Sequence, residues 1–560
     1  WGQEARASLL GRVSDPSGAV IVGARVQAIN VATNAGASSV TNEQGNYEIP
    51  YLLPGVYRIE VQSPGFKKTV REGIELRVGD RITLDFTLEV GSVAESIVVT
   101  GETPLLEATN ASIGMVMEER RVTELPIVGG NPFYLVRLTP GVISSGGRYA
   151  GNPMDQGAAS NIIVNGTRSG SSEGAVDNLP NMAERNSVFS PPQDMVQEFR
   201  IHTASFDASI GHAAGAVTNV SMKSGTNTLH GSSYYFDSRI RAVPWFTNRF
   251  IYDPTTGPIT PEKKKRALEG WLHQRWGATM GGPVVLPRLY NGRNRTFWTF
   301  GYEGLYIRRN LSGTYTVPTP AQRKGDFSEL LRLGSQYQIY DPATIAPAPG
   351  GRFSRQPLPG NIIPASRQLN PMYKFYEKLY PLPNNPPQMD AEGRYNYFNG
   401  RIPFNWDYKA FQHRTDFVPT EKNRFFVRWS YNKFVEDRND WTYDTARWLH
   451  SNALHRINKN AGFDWVRTFS PSTILNVAIA YNRYYDTGLN KERLKYKPTD
   501  VGLPAYMDEK AGNDHTLPAI NFSDYRQVSS GVPRLNPVSV GAIKSDLMKY
   551  AGKHSLKMGW

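Results

Sequence analysis

The chain has 560 residues, of which 39% are hydrophobic, and a formal net charge of +13 at pH 7. It contains no apolar run of the roughly 20 residues that a membrane-spanning helix needs, and no cysteine, which excludes disulfide scaffolds, cysteine-ligated metals and thiol catalysis. The basic residues are scattered apart from the run at 263–266, which we interpret as a solvated loop, so nucleic acid is not an expected partner.

Residues 8–90 are predicted to form a small β-sandwich, because turns rich in Gly, Pro and Asp separate short runs of alternating apolar and polar residues. These runs are 8–13, 24–30, 38–41, 46–49, 55–62 and 81–88. Together with the turn at 41–47, where Gly45 can take a positive φ, they resemble the carboxypeptidase regulatory-like domain, a transthyretin-like sandwich. The resemblance implies a spacer or docking module, since this family module carries no catalytic residues.

Residues 92–226 differ in composition from the predicted sandwich: they are rich in Gly, Asn and Ser, and their hydrophobic periodicity is weak. The motif residues in this stretch are Asn165, Gly166, Arg168, Asp177, Gly215 and Gly225. In their order and spacing, these motifs resemble the plug domain of TonB-dependent outer-membrane receptors, most closely the Oar-like branch, in which a regulatory-like domain precedes the plug. The resemblance implies an α+β plug that fills a barrel lumen. We expect Arg168, Asp177 and Arg200 to bond to inward-facing barrel side chains, and small residues such as Gly215 to allow close packing.

A β-prone run stands between the two segments. It consists of Ser96, Ile97, Val98, Val99 and Thr100. This run resembles a TonB box, a short extended segment that pairs by β-augmentation with the periplasmic part of TonB. Backbone pairing requires only β-propensity and exposure, so a plain linker strand between sandwich and plug is an open alternative.

From residue 228 to the end, about nine runs show the two-residue alternation of transmembrane β-strands, with one face for lipid and the other for a polar lumen. Three runs show this alternation most clearly, with apolar and aromatic residues on one face of the strand and polar residues on the other. The two faces are Trp298, Phe300, Tyr302 and Tyr306 with Thr299 and Glu303; Phe425, Val427, Trp429 and Tyr431 with Arg428 and Asn432; and Leu475, Val477, Ile479 and Tyr481 with Asn476 and Asn482. The predicted fold class is therefore mainly β: a transthyretin-like sandwich, an α+β plug, and the first part of a transmembrane antiparallel barrel.

The barrel part is expected to be incomplete, since receptors of the resembled family close with roughly 22 strands. The sequence therefore looks like the front part of a longer chain, and its start at Trp1 suggests that it begins after a signal peptide. Residues 311–405 form one very long insert between strands. Because periplasmic turns of such barrels are short and extracellular loops are long, this insert is predicted to face outward.

The sequence contains no G-x-S-x-G, H-E-x-x-H, P-loop or EF-hand motif and no paired histidines. We therefore expect no enzyme activity, no cofactor and no metal site. The resemblance implies a receptor that imports a scarce or bulky ligand, such as a siderophore, oligosaccharide or peptide, by an energy-coupled rearrangement of the plug. TonB, with ExbB and ExbD, is the implied partner, alongside outer-membrane lipid and an unknown extracellular ligand. The implied location is the outer membrane, with the N-terminal domain in the periplasm. The alternative is a surface adhesin or structural protein that has the receptor architecture without import.

Overall fold

The computed structural model describes residues 6–91, 96–100, 113–125, 127, 129–144, 151–184, 186–204, 213–238, 258, 260–261, 272–368, 370–384, 393–437, 454–488, 496–512, 523, 525, 534–551 and 554–560. Strands dominate these residues, which confirms the mainly-β class predicted from the sequence. Within them, no helix has the length and apolar character required to cross a membrane.

The N-terminal unit is a two-sheet sandwich, as predicted. Its strands are β1 Ala7–Ser14, β2 Arg25–Asn30, β3 Gly36–Val40, β4 Asn46–Leu52, β5 Gly55–Gln62, β6 Lys68–Leu76, β7 Arg81–Thr83, β8 Phe86–Thr87 and β9 Ser96–Thr100. One sheet has the order β4-β1-β7, with β8 also paired to β1, and the other has the order β3-β2-β5-β6-β9. The two sheets enclose one core, which includes the fully buried Leu9, Val26 and Ile59. β6 lies outside the predicted runs because a charged pair and Gly73, with a positive φ of 74°, interrupt its alternation.

The central unit combines strands with short helices. Its strands are β10 Ile113–Glu118, β11 Val142–Ser144, β12 Ile162–Val164, β13 Glu173–Val176, β14 Leu179–Pro180, β15 Met182–Ala183, β16 Asn186–Ser187, β17 Val196–Ala204 and β18 Val217–Met222. An α-helix spans Glu119–Glu124, and 3-10 helices span Pro132–Leu138 and Gln193–Met195. The main sheet has the order β10-β17-β18-β13-β14 and packs on a core that includes Phe133 and Phe199. We call this α+β unit, which lies within the segment 92–226, the plug.

The remaining strands build a long antiparallel sheet. They are β19 His230–Ser238, β20 Leu272–Pro283, β21 Val285–Leu286, β22 Tyr290–Asn291, β23 Thr296–Tyr315, β24 Ala346–Ala348, β25 Arg352–Ser354, β26 Tyr397–Thr420, β27 Asn423–Asp437, β28 Leu454–Ser470, β29 Thr473–Gly488, β30 Arg534–Ala551 and β31 His554–Gly559. Among the described residues, nine of these strands pair in chain order as β19-β20-β23-β26-β27-β28-β29-β30-β31, while β21-β22 and β24-β25 are separate hairpins. The strand count matches the sequence prediction.

The two faces of this sheet differ as the alternation predicted. On β27, Val427 and Trp429 point outward with 49% and 44% of their surface exposed, whereas Arg428 and Asn432 point inward and are buried. Outward aromatic rings stack between neighbouring strands: the rings of Phe425 and Trp465 are parallel, with centroids 6.0 Å apart. A face of exposed apolar side chains opposite a face of buried polar ones is the arrangement of a membrane barrel wall.

Short turns and long connections lie at opposite ends of the strands. The turns at 421–422 and 471–472 join β26 to β27 and β28 to β29 at one end. The long segment 316–396 joins β23 to β26 at the other end, and it contains helices at Pro320–Arg323 and Pro371–Glu377 together with the β24-β25 hairpin. Both flanking strands run further than predicted, so the insert begins after Tyr315 and ends before Tyr397 rather than spanning 311–405.

Candidate functional site: the contacts of the plug with the barrel and the sandwich

Asp177 sits in the tight turn between β13 and β14, where it and Asn178 have positive φ angles of 50° and 63°. Asp and Asn tolerate this left-handed conformation better than other non-glycine residues. The turn carries the Asp177 carboxylate to the inner wall of the sheet. Its Oδ1 accepts hydrogen bonds from Arg414 Nη1 at 2.7 Å and from the Met222 backbone N–H at 2.9 Å. Its Oδ2 lies 3.5 Å from Arg428 Nε, near enough for an ion pair but too far for a hydrogen bond.

Arg414 and Arg428 extend this contact along β26 and β27. Arg414 Nη2 also donates to Asp416 Oδ1 at 2.7 Å, and the other oxygen of Asp416 accepts from Ser224 Oγ at 2.8 Å. Arg428 Nη2 donates to the carbonyl oxygen of Val176 at 2.9 Å. We call this buried network the plug lock. Its side chains are those of Asp177, Ser224, Arg414, Asp416 and Arg428.

Further polar contacts join the plug to other barrel strands. The Tyr484 hydroxyl donates to Gln156 Oε1 at 3.0 Å, Asn482 Nδ2 donates to the Pro180 carbonyl at 2.8 Å, and Arg275 Nη2 donates to Gln193 Oε1 at 2.9 Å. These contacts join the plug to β20 and β29 in addition to β26 and β27.

The other plug-motif residues occupy several places. The backbone of Gly225 passes against the barrel wall, where an added Cβ would come within 2.5 Å of the Trp298 carbonyl oxygen. Gly215 packs inside the plug, and there a Cβ would come within 2.4 Å of Ser172 Oγ. Asn165 and Gly166 form a turn at the end of β12 with φ angles of 49° and 81°. The side chain of Arg168 is exposed, so it does not make the buried barrel contact expected from the sequence.

The sandwich meets the plug at the turn between β6 and β7. The Val78 N–H donates a short hydrogen bond to Glu198 Oε1, and Arg200 Nη1 donates to the Val78 carbonyl at 3.0 Å. Asp80 lies 3.5 Å from the same guanidinium nitrogen. Arg200 was expected to bond to the barrel, but β17 turns its guanidinium toward the sandwich instead. Burial raises the pKa of Glu198 to about 8, because the charged carboxylate loses its hydration.

The sandwich also contacts the short-turn end of the barrel. Arg6 Nη1 donates to Asp464 Oδ1 at 2.7 Å, and both side chains are buried. At the turn before β27, Glu421 accepts from Arg25 Nη2 at 2.7 Å and from Ser38 Oγ at 2.9 Å. The sandwich therefore lies across the same end of the sheet as the short turns, opposite the long segment 316–396.

A protein-family model described as "Outer membrane beta barrel domain" matches residues 221–560, which is more than half of the chain. The chain belongs to this family. A second model, the carboxypeptidase regulatory-like domain, matches residues 8–89 and agrees with the N-terminal sandwich. Membership of the barrel family makes this an outer-membrane protein.

Parts of the chain are similar to a curated transporter and to two solved outer-membrane proteins. The TonB-dependent transporter Oar of Myxococcus xanthus is 25% identical over 261 residues, which cover 45% of this chain and 23% of that protein. The siderophore receptor PirA of Acinetobacter baumannii (11% identity, TM-score 0.41) and the outer membrane transporter YddB of Escherichia coli (9% identity, TM-score 0.42) each match 80% of this chain and 47% of their own. The chain thus spans less than a quarter of the curated relative and about half of these solved proteins. The two matched domains and the similarity to Oar support the resemblance to Oar-like receptors that the sequence suggests.

In this chain, the TonB-box candidate Ser96–Thr100 is strand β9. It pairs in parallel with β6, with Val98 opposite Val70 and Thr100 opposite Glu72. β9 is the last strand of its sheet among the described residues, so one of its edges is open. The segment is extended, as a TonB box requires, and it is also part of the sandwich, as the linker-strand alternative requires.

A cavity of about 430 Å³ lies where the three units of the receptor meet. Its wall includes Arg6 and Tyr51 from the sandwich, Ser224 from the plug, and Asp416 and Phe425 from the barrel. Within the described part of the chain, no group of three or more His, Asp or Glu side chains is placed to hold a metal ion. The cavity borders the plug lock, because Ser224 and Asp416 belong to both.

The contribution of Arg414 and Asp416 to the plug lock was not predicted from the sequence. Arg414 and Asp416 lie on the inward face of β26, where positions 404 to 416 alternate between buried and partly exposed residues. A charged pair two residues apart on the lumen side of a predicted strand was a usable signal for a plug contact. No comparable signal marks Arg6 or Glu198, because their partners are set by how the sandwich docks.

Proposed function

We propose that the complete receptor imports a scarce or bulky extracellular ligand by an energy-coupled rearrangement of the plug. The observation that carries this proposal is the plug lock, which seats the plug against the barrel wall through buried charges at Asp177, Arg414 and Arg428. Buried ion pairs contribute little net stability when intact, yet they fix a unique arrangement and are strongly disfavoured when one partner is withdrawn. Such a contact favours two states, closed and released, over a continuum of partly open ones.

The energy would enter through β9 in this proposal. TonB, energised by ExbB and ExbD, would pair with β9 in the periplasm and pull on the segment that leads into the plug. The sandwich lies at the short-turn end of the strands, which is the periplasmic end of a barrel of this type, so β9 is on the side from which TonB can reach it. Force on β9 would be transmitted to β6 of the sandwich as well as to the plug.

The ligand class stays open among siderophores, oligosaccharides and peptides. The relatives include a transporter named for TonB dependence and a receptor named for siderophores, which supports import rather than adhesion. The segment 316–396 would form part of the outer entrance, since it lies at the end of the strands opposite the sandwich.

Uptake of a radiolabelled panel by cells that carry the complete gene tests the proposal. The panel contains ferric siderophores, oligosaccharides and short peptides, and each is measured with and without TonB. Accumulation of one class that disappears without TonB is the expected result, and Arg168→Ala serves as a plug variant that should import normally. If no class accumulates while deletion of the gene abolishes attachment of cells to a surface, the adhesin alternative replaces import.

A further inference from the structure

Four basic side chains form a continuous group on the outward face of the barrel sheet. They are Lys409 on β26, Lys433 on β27, Lys459 on β28 and Arg483 on β29. All four are exposed, and all four lie on the lipid-facing side of their strands, because the residues immediately before and after each one are buried. We call this group the outer basic row.

The strand register brings like charges directly opposite each other. Lys409 pairs with Lys433, and Lys459 pairs with Arg483. Lys433 and Lys459 are diagonal neighbours, since Lys459 stands opposite Tyr431. Opposed side chains have Cβ atoms only about 5 Å apart, and like charges in this position destabilise a sheet. No acidic side chain forms an ion pair with any of the four among the described residues.

Among the described side chains, one acidic residue near the row on this face, Asp407, is already paired. Asp407 lies two residues before Lys409 on β26, and its Oδ1 accepts from Arg308 Nη2 at 2.6 Å. The pairing adds one positive and one negative charge to the surroundings, so the net charge of the row remains about four. A repeated like-charge arrangement for which the described residues supply no ion pair favours counter-ions from outside the protein.

The row lies toward one border of the apolar band. Below Lys433 on the same face come Tyr431, Trp429, Val427 and Phe425. The eight residue steps from Phe425 to Lys433 extend for about 26 Å, and even with the tilt of a barrel strand this length approaches the height of the band that faces lipid hydrocarbon. The row therefore lies at the head-group level of the membrane leaflet nearest the long connections. Because the sandwich and the short turns are at the opposite end, this is the outer leaflet.

Phosphate is the anion that best suits this position. A lysine ammonium is a compact charge with three donors and an arginine guanidinium is a planar fork, and both are common phosphate ligands. Tyr431 and Tyr481 lie beside the row on the same face and add hydroxyl donors at the same level. A row of four cations on four strands is wider than a single phosphate group. It therefore suits a head group that carries more than one phosphate.

We propose that the outer basic row binds the phosphate groups of a phosphorylated glycolipid in the outer leaflet. The bound phosphates would occupy the space between Lys409 and Lys433 and between Lys459 and Arg483, and the acyl chains would lie along the aromatic band below. Binding would convert two repulsive pairs into bridged ones, so this part of the wall would become more stable in its own membrane than in neutral detergent.

Native mass spectrometry of the full-length, delipidated receptor tests the proposal, with diphosphorylated lipid A as the probe. Wild type should retain lipid A, and Lys433→Gln with Lys459→Gln should weaken its binding about 30-fold, on the basis of about 1 kcal/mol for each cation near a charged membrane surface. Lys433→Arg with Lys459→Arg should restore binding because it keeps both charges. The matched control, Lys422→Gln with Arg467→Gln, removes two cations at the other border and should bind as wild type does.

Two comparisons distinguish the glycolipid from other sources of binding. Wild type and the Gln variant should bind dephosphorylated lipid A equally well. If wild type retains the phosphorylated and dephosphorylated forms equally, the proposal is overturned. Displacement of lipid A by millimolar inorganic phosphate would also overturn it, in favour of a free-phosphate site. In neutral detergent the Gln variant should unfold at the same or a higher temperature than wild type, because it removes two repulsive contacts. A lower unfolding temperature there would show that the lysines stabilise the sheet by themselves and would count against a lipid role.

Discussion

Asp177 joins the plug to two buried arginines of the barrel, Arg414 and Arg428. Asp177→Asn keeps the shape of the side chain but removes the charge that faces Arg414 and Arg428, and breaking a buried pair in this way destabilises by about 3–5 kcal/mol. We expect faster amide hydrogen exchange in β13 and β18 of the full-length receptor, with the barrel strands unchanged. Arg168→Ala is the control, because an exposed side chain on the same domain should shift exchange by less than about 0.5 kcal/mol. Unchanged exchange in Asp177→Asn would show that the lock does not hold the plug.

Glu198 predicts a pH dependence of the contact between sandwich and plug. Its pKa rises from an ordinary 4.5 to about 8 because burial disfavours the charged carboxylate, so the docked state binds the proton more tightly than the undocked state. The free energy that Glu198 contributes to the docking of sandwich and plug is fully present below pH 4.5, and it is lost as the pH rises through about 8. The surrounding charges act in both directions, since Asp80 and Glu75 raise the pKa further and Arg77 lowers it.

The measurement is the protection of the Val78 amide, which donates to Glu198, between pH 6.5 and 8.5 after correction for intrinsic exchange. Protection should fall across this range by at most about 1.4 kcal/mol per pH unit, and Glu198→Gln should show a flat profile. His202 does not interfere, because burial lowers its pKa to about 3 and it stays neutral throughout the range. A wild-type profile as flat as that of the Gln variant would mean that Glu198 does not titrate at this contact.

At the scale of elements, β9 can be tested as the site of TonB pairing. Val98→Pro removes an N–H and fixes φ, which disrupts strand pairing at that position. We expect this variant to lose binding of a periplasmic TonB fragment to the full-length receptor while the barrel assembles normally. Val98→Thr, which keeps β-propensity, is the control and should bind. Normal binding by Val98→Pro would place the TonB box elsewhere and leave β9 as a linker strand of the sandwich.

Strands were more predictable than contacts because each strand carries its own signal. The alternation of Val427 and Trp429 with Arg428 is a property of one short segment, and it predicted both the strand and its lipid face. The bond between Asp177 and Arg414 joins residues 237 positions apart, and nothing local in the sequence encodes that distance. Arg200 shows the same limit: its charge suggested a polar partner, but the docking of the sandwich determined which one.

At the scale of the whole molecule, the open sheet predicts how the 1–560 polypeptide behaves alone. β19 and β31 are the outer strands of the sheet in the described residues, and each pairs with only one neighbour. Unpaired edges and a wide apolar face favour aggregation or proteolysis of this part outside a membrane. The sandwich has its own core around Leu9 and Ile59, so it should fold independently, although a domain of its size is only marginally stable.

Limited proteolysis of the refolded 1–560 chain in detergent measures this difference. We expect a resistant fragment of about 80 residues that corresponds to the matched segment 8–89, together with rapid loss of the barrel strands. Arg6→Ala serves as a matched variant: it removes the buried bond to Asp464 and should release the sandwich from the barrel wall sooner, without changing the stability of the released fragment. A fully protected species of 62.5 kDa would show instead that the nine strands protect their own edges, and the open sheet would then not describe the chain in solution.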